Sequence, residues 1–394
     1  AFKDNFKKKV IVGGAENAIA IGKYAKASKN DTIALGKDSN AVEEKAIAIG
    51  KEAKANGKQS VVIGTPNSSN SKADDNIDSN IGEISAGTSS VSVGNGVKSG
   101  DYSVGIGGNV VAGKTAVAIG DRSRAIGEIS AAIGEKALAK GPRSIAIGNE
   151  TKANAEDSYV FGGKSEVSNG AGQSSAVGIN ISVKSAQAVA MGNDVLIDEN
   201  SRGAVAIGSD DSSYNEGNNK IGGNNYTKTM AKGNATTAIG AHAQATNVAA
   251  TALGARAFAT EKETVAVGAN SKASVEGAVA IGSYSLADRA KNTTYYNPKT
   301  GNTDGKVTDK LATKAALSIG DTSKNIRRQL IGLAAGTNDT DAVNVWQLKE
   351  LKGYFDENKK FDLEGDKNGK QTFELPNKLE VKGNTEKKTD GKTY

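Results

Sequence analysis

The sequence has no cysteine, one histidine, one tryptophan and four prolines among 394 residues. Without cysteine there is no disulfide scaffold and no Cys-ligated metal site. A single histidine, His242, excludes a His-rich metal site. Aromatics make up 5% of the sequence, and the 37% apolar fraction is mostly Ala, Val and Ile. Conventional cores lean on large aromatic and aliphatic side chains, so this composition argues against two or three ordinary domains. No run approaches the roughly 20 apolar residues of a membrane helix. Fifty basic and 44 acidic residues leave a formal charge of +6, with acids interspersed among the lysines. That balance provides no clustered basic face and argues against nucleic-acid binding. The sequence starts at Ala1 without a visible signal peptide, so an exported protein is expected to be a mature or excised fragment here.

Glycine is present in excess: 48 residues, well above the usual share of about 7%. Its placement is periodic. A phrase of aliphatic, small, aliphatic and glycine recurs as Ile19-Ala20-Ile21-Gly22, Ile47-Ala48-Ile49-Gly50, Val117-Ala118-Ile119-Gly120 and Val279-Ala280-Ile281-Gly282. The closing glycines are Gly22, Gly36, Gly50 and Gly64, then Gly94 through Gly208 in nine copies, then Gly240, Gly254, Gly268 and Gly282. Most steps are 13, 14 or 16 residues, and two steps, Gly64 to Gly94 and Gly208 to Gly240, are about twice that. A weaker phrase follows each glycine, as in Ala53-Lys54-Ala55 and Ala243-Gln244-Ala245. Fourteen residues cannot hold two helices, but they hold two strands of four or five residues and two tight turns. Glycine at the end of the first phrase suits a turn with φ > 0 or a close backbone approach. The pattern predicts a parallel β-solenoid with one coil per repeat. At about 4.8 Å per coil, some 17 to 20 coils would make a rod on the order of 80–95 Å long.

Alternation along a strand assigns faces. In Ala53-Lys54-Ala55 one face is dry and the other wet. In Val117-Ala118-Ile119 both faces are apolar, so one side needs a cover the repeat does not supply. The simplest cover is an identical copy of the protein. The expectation is a cyclic homo-oligomer in which the small alanines of the first phrase press together around a shared axis.

The period fails after Gly282. Residues 283–314 are polar, with a turn-rich loop around Tyr295 and Tyr296, and a last aliphatic phrase stands at Leu317-Ser318-Ile319-Gly320. Then follow Asn325-Ile326-Arg327-Arg328-Gln329-Leu330 and Gly332-Leu333-Ala334-Ala335-Gly336-Thr337-Asn338-Asp339-Thr340-Asp341-Ala342-Val343-Asn344-Val345-Trp346-Gln347-Leu348-Lys349. Asp341 is positioned to cap a helix carrying Val345, Leu348 and Leu351 on one face. Such a segment suits the start of an inter-chain coiled coil.

The repeat and this long phrase together resemble the head and neck of YadA-like trimeric autotransporter adhesins, over roughly residues 10–282 and 315–350. The resemblance implies a left-handed parallel β-roll head, trimeric along its length, then a neck and the start of a coiled-coil stalk. It implies a Gram-negative cell surface, with membrane attachment only through a C-terminal trimeric barrel outside this sequence. It implies adhesion to extracellular-matrix proteins such as collagen, fibronectin or laminin, or to a host receptor such as a carcinoembryonic-antigen-type molecule. By resemblance, Arg327 and Arg328 take the paired basic position of the neck. Asp341, Ala342, Val343, Asn344, Gln347 and Leu348 take the helix start. Trp346 stands where the family usually has a small residue, and Ile331-Gly332-Leu333 replaces a more polar run. The organisation expected is a head over 1–282, a polar insert over 283–314, a neck and coiled-coil start over 315–350, and a stalk start or disordered tail over 351–394.

Competing chemistries fit poorly. Solenoid acyltransferases use a six-residue period and a catalytic His, whereas the period here is 14 and the pattern puts His242 at an outward surface position. Nonapeptide calcium repeats need Gly-Gly-x-Gly-x-Asp, and Asp does not recur at that spacing. Gly105-Ile106-Gly107-Gly108 lacks the following helix of a nucleotide loop. Ice binding needs regular outward Thr ranks, and the outward residues here vary. No catalytic, cofactor or metal residue is assigned. Binding, if the rod binds, is expected in the two long steps, at residues 65–89 or, better, 209–236, where Tyr214, Asn218, Tyr226 and Met230 offer recognition side chains. A Lys-rich outer surface binding acidic partners through many weak contacts is the other mode. A purely architectural rod, spacing another domain from the surface, is the alternative to adhesion.

Overall fold

The computed structural model describes residues 15–67, 83–209, 228–298, 300–304, 311–358, 360–364 and 370–374. The protein divides into two units, Ala1–Arg327 and Arg328–Tyr394.

The first unit is a parallel β-solenoid built from two ladders. First-phrase strands stack one per coil: Ile19–Ile21 pairs with Ile33–Leu35, Ile19 on Ile33 and Ala20 on Ala34. The ladder continues to Val279–Ile281, takes Leu317–Ser318 as its last rung, and holds 18 strands. Second-phrase strands form their own ladder, from Lys26–Ala27 on Asn40–Ala41 to Lys272–Ala273 on Leu286–Ala287. First-phrase strands up to Val279–Ile281 run three to five residues, while most second-phrase strands run only two, shorter than the pattern suggests. The corners carry the difference. Most coils turn twice through a non-glycine residue with positive φ, such as Asp31 and Asp38, then Lys45 and Glu52; Gly96, Gly203 and Gly277 take that corner in three coils. A left-handed residue costs about 1–2 kcal/mol. It is held because its amide extends the ladder around the corner: Asp38 N donates to the Lys23 carbonyl at 2.8 Å, and Glu52 N to that of Lys37 at 2.8 Å.

Both long steps resolve in the same way. Val61–Thr65 pairs directly with Val91–Asn95, and Val205–Gly208 with Thr237–Ile239. Each step supplies one second-phrase strand, Ser85–Ala86 or Thr229–Ala231. Each is therefore a single coil with an added excursion, not two coils. The excursions themselves, at 68–82 and 210–227, lie outside the described residues.

The alanine face corrects an expectation. Ala34, Ala48, Ala118, Ala146 and Ala266 are fully buried inside their own coil, and the flanking Ile and Val residues are half-buried or exposed on the outer side. The roll is thin: a methyl group fills most central positions of the first ladder, and valine fills two of them, Val62 and Val160. The face left for a cover is thus the large aliphatic one. Where one sheet fills more of the interior, the opposite strand shrinks: Val97 and Val110 are fully buried, and Gly105 replaces the central alanine. A Cβ at Gly105 would stand 2.7 Å from Val97 Cγ1 and from Ser99 Oγ. Buried corner hydroxyls satisfy themselves locally. Ser60 Oγ donates to the Gly57 carbonyl at 2.7 Å, and Ser271 Oγ to that of Gly268 at 2.8 Å.

The closing glycines form a column. Gly120, Gly134, Gly148 and Gly162 have φ between +122° and +135°. A Cβ on any of them would overlap the carbonyl of the next glycine in the column. Both reasons for glycine, a backbone that L side chains avoid and a close approach, apply at one atom. We therefore expect Gly148→Ala to lower stability by about 3 kcal/mol or more. Gly203→Ala, at φ +71° in open space, should cost about 1–2 kcal/mol. Chemical denaturation of the two variants checks the difference.

Candidate functional site

Three surfaces of the repeat unit carry chemistry. The first is the outer face of the first ladder, where two columns of aliphatics run along the stack: Ile47 and Ile49, Ile145 and Ile147, Val265 and Val267. Tyr159, Phe161, Val189 and Met191 widen it midway, and all four are exposed. The column through Ile49, Ile147 and Val267 is apolar at every rung from Ile21 to Ile281, while Ser175, Thr237 and Thr251 interrupt the other. Monomers seldom leave more than a few hundred Å² of contiguous apolar surface.

The second is the charged corner surface. The 14-residue register sets acids beside bases one coil away: Lys58 Nζ on Glu44 at 2.8 Å, Lys136 Nζ on Glu150 at 3.2 Å, and Arg143 Nε on Asp157 at 2.7 Å with Glu156 on the same guanidinium. The hydrogen bond from Lys58 holds the Glu44 carboxyl below its ordinary value. These lysines face their own acids, so this surface is not an uncompensated cationic stripe. Such exposed pairs are screened by salt and add little to stability.

The third surface was legible in the step lengths but carries no motif. Two 16-residue coils, Gly162 to Gly178 and Gly192 to Gly208, flank one of 14. Their extra residues sit in the turns between Glu166–Val167 and Ser175–Ile179, and between Val195–Ile197 and Val205–Gly208. The turn at Lys184 to Ala186 lies recessed between them. The result is an open groove of about 680 Å³ lined by Asn169, Lys184, Glu199, Arg202 and Asn234 among others. Its cations are already engaged: Lys184 Nζ lies 3.7 Å from Asp198 Oδ1, and Arg202 Nε donates to Gln187 Oε1 at 2.8 Å.

Of the recognition residues read from the second long step, Tyr214, Asn218 and Tyr226 lie outside the described residues. Met230 is not part of the excursion. It sits in the strand Thr229–Ala231, paired with Leu196 on one side and Gln244 on the other. His242 is not a surface residue either. It is 4% exposed at a left-handed corner, φ +58°, and both ring nitrogens are buried without a hydrogen-bond partner. The left-handed backbone breaks the in–out alternation from which an outward position was read.

The second unit contains the residues read as neck from Arg328 onward. The helix Val345–Asn358 is capped by Asn344, not by Asp341. Gln347 N donates to Asn344 Oδ1 at 3.0 Å, and Asn344 N to Gln347 Oε1 at 3.2 Å, a reciprocal capping box. Gln347 also ties the helix to the incoming segment through both Gly336 N and the Gly336 carbonyl, each at 3.0 Å. Asp341 instead closes the loop before the helix: its Oδ2 accepts from Thr337 N at 2.8 Å and Asn338 N at 2.9 Å. Sequence reasoning placed the acid as cap because Asp is a good cap by type, but Asn344 is the residue three before a glutamine. Val345 and Leu348 are 69% and 60% exposed, and Trp346 is exposed beside them. Arg327 pairs with the Asn325 side chain at the end of the first unit, and Arg328 opens the second. Past the helix, Lys360–Glu364 and Lys370–Glu374 form an antiparallel pair in the stretch for which a stalk start or a disordered tail was expected.

Comparison with known proteins gives consistent matches. The family described as YadA head domain repeat (2 copies) matches residues 14–39, 41–65, 125–151, 139–165, 231–257 and 259–285. The coiled stalk of trimeric autotransporter adhesin matches residues 329–371. The autotransporter adhesin BadA of Bartonella henselae is 57% identical over 42 residues, which is 11% of this protein and 1% of that one. The crystal structure of the collagen-binding domain of Yersinia adhesin YadA aligns at 27% identity with a TM-score of 0.28, over 55% of this protein and 86% of that one.

The Asp341 loop gives a pH test. Backbone donation from Asn338, then Thr337, holds the Asp341 carboxyl below its ordinary value. Its contribution is present above the ordinary Asp value near about 4 and is lost as pH falls through the lowered one. Amide exchange at Thr337 and Asn338, corrected for intrinsic rate, should accelerate in that acidic window, and in Asp341→Asn it should be fast already at neutral pH.

Proposed function

We infer, from the membership of this protein in the YadA-like trimeric autotransporter adhesins, that its repeat unit is an adhesin head working as a homotrimer. The head displays a binding surface on the outside of a Gram-negative bacterium, and its targets are host surface or extracellular-matrix proteins. The observation that supports assembly is the outward apolar column of the first ladder, carried from Ile21 to Ile281 without a polar residue. A second copy related by a cyclic axis would cover the same residues with the same residues, coil for coil, which suits a repeat of constant register. The helix of the second unit supports the same reading. Leu348, Leu351 and Phe355, spaced three and four apart, are all exposed in a single copy.

Adhesion then falls to the described surfaces that assembly leaves open, the corners and the groove at Lys184. The self-neutralised corner ladders favour local recognition over diffuse electrostatic capture, since their lysines already face acids one coil away.

Sedimentation equilibrium at micromolar concentration should give three times the 40.2 kDa monomer mass. A monomer there would remove the assembly. Ile147→Lys, which sets a charge on the ridge of each copy, should weaken trimer formation by several kcal/mol while the isolated coil tolerates it. Binding of the soluble trimer to host cells and to immobilised matrix proteins, collagen among them, should persist at moderate salt. Binding that vanishes steeply with salt would favour the Lys-rich mode, and no binding at all would favour a spacer.

A further inference from the structure

We propose that Asn169 is a self-modifying site: it deamidates through attack by the Gly170 amide nitrogen, placing a new carboxylate on the rim of the groove. Three Asn-Gly pairs fall among the described residues, Asn56-Gly57, Asn95-Gly96 and Asn169-Gly170, and the fold treats them differently. The reaction needs the backbone nitrogen after asparagine to be free and able to swing onto the carbon of the asparagine carboxamide. Gly57 N is buried and donates to the Ala86 carbonyl at 3.2 Å. A Cβ there would overlap the backbone of Gly87 and Thr88, so the residue is locked in the coil stack. Gly96 N is likewise buried and donates to the Thr65 carbonyl at 3.0 Å.

Gly170 has neither restraint. It is exposed, its amide makes no hydrogen bond, and nothing lies within 4 Å of where a Cβ would be. Its turn is closed only by Ala171 N donating to the Ser168 carbonyl at 3.1 Å. The freedom comes from the two extra residues of the 16-residue coil, which push this turn out of the ladder that binds the shorter turns. A standard corner amide is engaged by the neighbouring coil, as Arg143 N is by the Glu128 carbonyl at 2.9 Å.

The chemistry balances without an oxidant or a reductant. Gly170 N loses its proton and bonds to Asn169 Cγ, and the Cγ–Nδ2 bond breaks. The amide nitrogen leaves as ammonia, carrying that proton. Water then opens the cyclic imide at either carbonyl, giving aspartate or isoaspartate. Each event lowers the net charge by one and sets a carboxylate on the groove that Lys184 and Arg202 line. The groove is thereby changed slowly and irreversibly with the age of the molecule.

The test uses the folded protein incubated at mildly alkaline pH and 37 °C, followed by proteolytic peptide mapping with mass spectrometry. The peptide with Asn169 should gain the mass of an amide-to-acid conversion about tenfold or more faster than those with Asn56 and Asn95, which must first open locally. In the urea-unfolded protein all three should convert at similar rates. Gly170→Ala should slow conversion at Asn169 and leave the other two unchanged. Equal rates at all three sites in the folded protein would overturn the proposal. So would an intact Asn169 in folded protein whose unfolded control has converted.

Discussion

Each glycine in the closing column sits with its α-carbon against the carbonyl of the glycine one coil away. That contact sets the fold. No side chain larger than hydrogen allows the coils to stack at strand spacing at this corner, and the φ near +130° turns the backbone from the first ladder toward the second. Once the corner is set, the remaining geometry follows. The two sheets close to a distance that alanine fills at most coils, and the corner amides run on as hydrogen bonds between coils. The left-handed residues at 7-residue spacing are the strain this closure imposes, and the ladder bonds at their amides hold them there.

A roll this thin hides only some of its larger aliphatics, Val62, Val160 and Ile181 among them. With the interior filled mostly by alanine methyls and serine hydroxyls, the Ile and Val residues that flank each central position are left on the outer face of the first ladder. One polypeptide therefore does not supply the burial that an ordinary domain obtains for such side chains. The second unit has the same economy: a capping box and the Gln347–Gly336 link orient a helix whose apolar side chains remain exposed. Departures from the 14-residue period act on the opposite scale. Two extra residues do not disturb the ladders. They protrude as turns, and the groove at Lys184 and the unrestrained amide of Gly170 are both products of such insertions.

The glycine spacing and the aliphatic phrase determined the parallel solenoid, its coil count and its register, because a period-two side-chain pattern repeated every 14 residues has one compatible stacking. They also determined that one apolar face would lack a cover. Which face that was depended on the distance between the two sheets, and alternation along a single strand carries no information about it. The alanines of Val117-Ala118-Ile119 went inside for that reason. His242 and Met230 show the same limit: one took its burial from a left-handed corner, and the other its place from a ladder partner 34 residues upstream, Leu196. In the neck, residue type suggested Asp341 as the cap, while the side chains that meet are Asn344 and Gln347, since a capping box requires two groups three residues apart to reach each other's backbone. The stack could be read from local pattern. The choice of inner face, the cap and the free turn were decided only when the roll closed on itself.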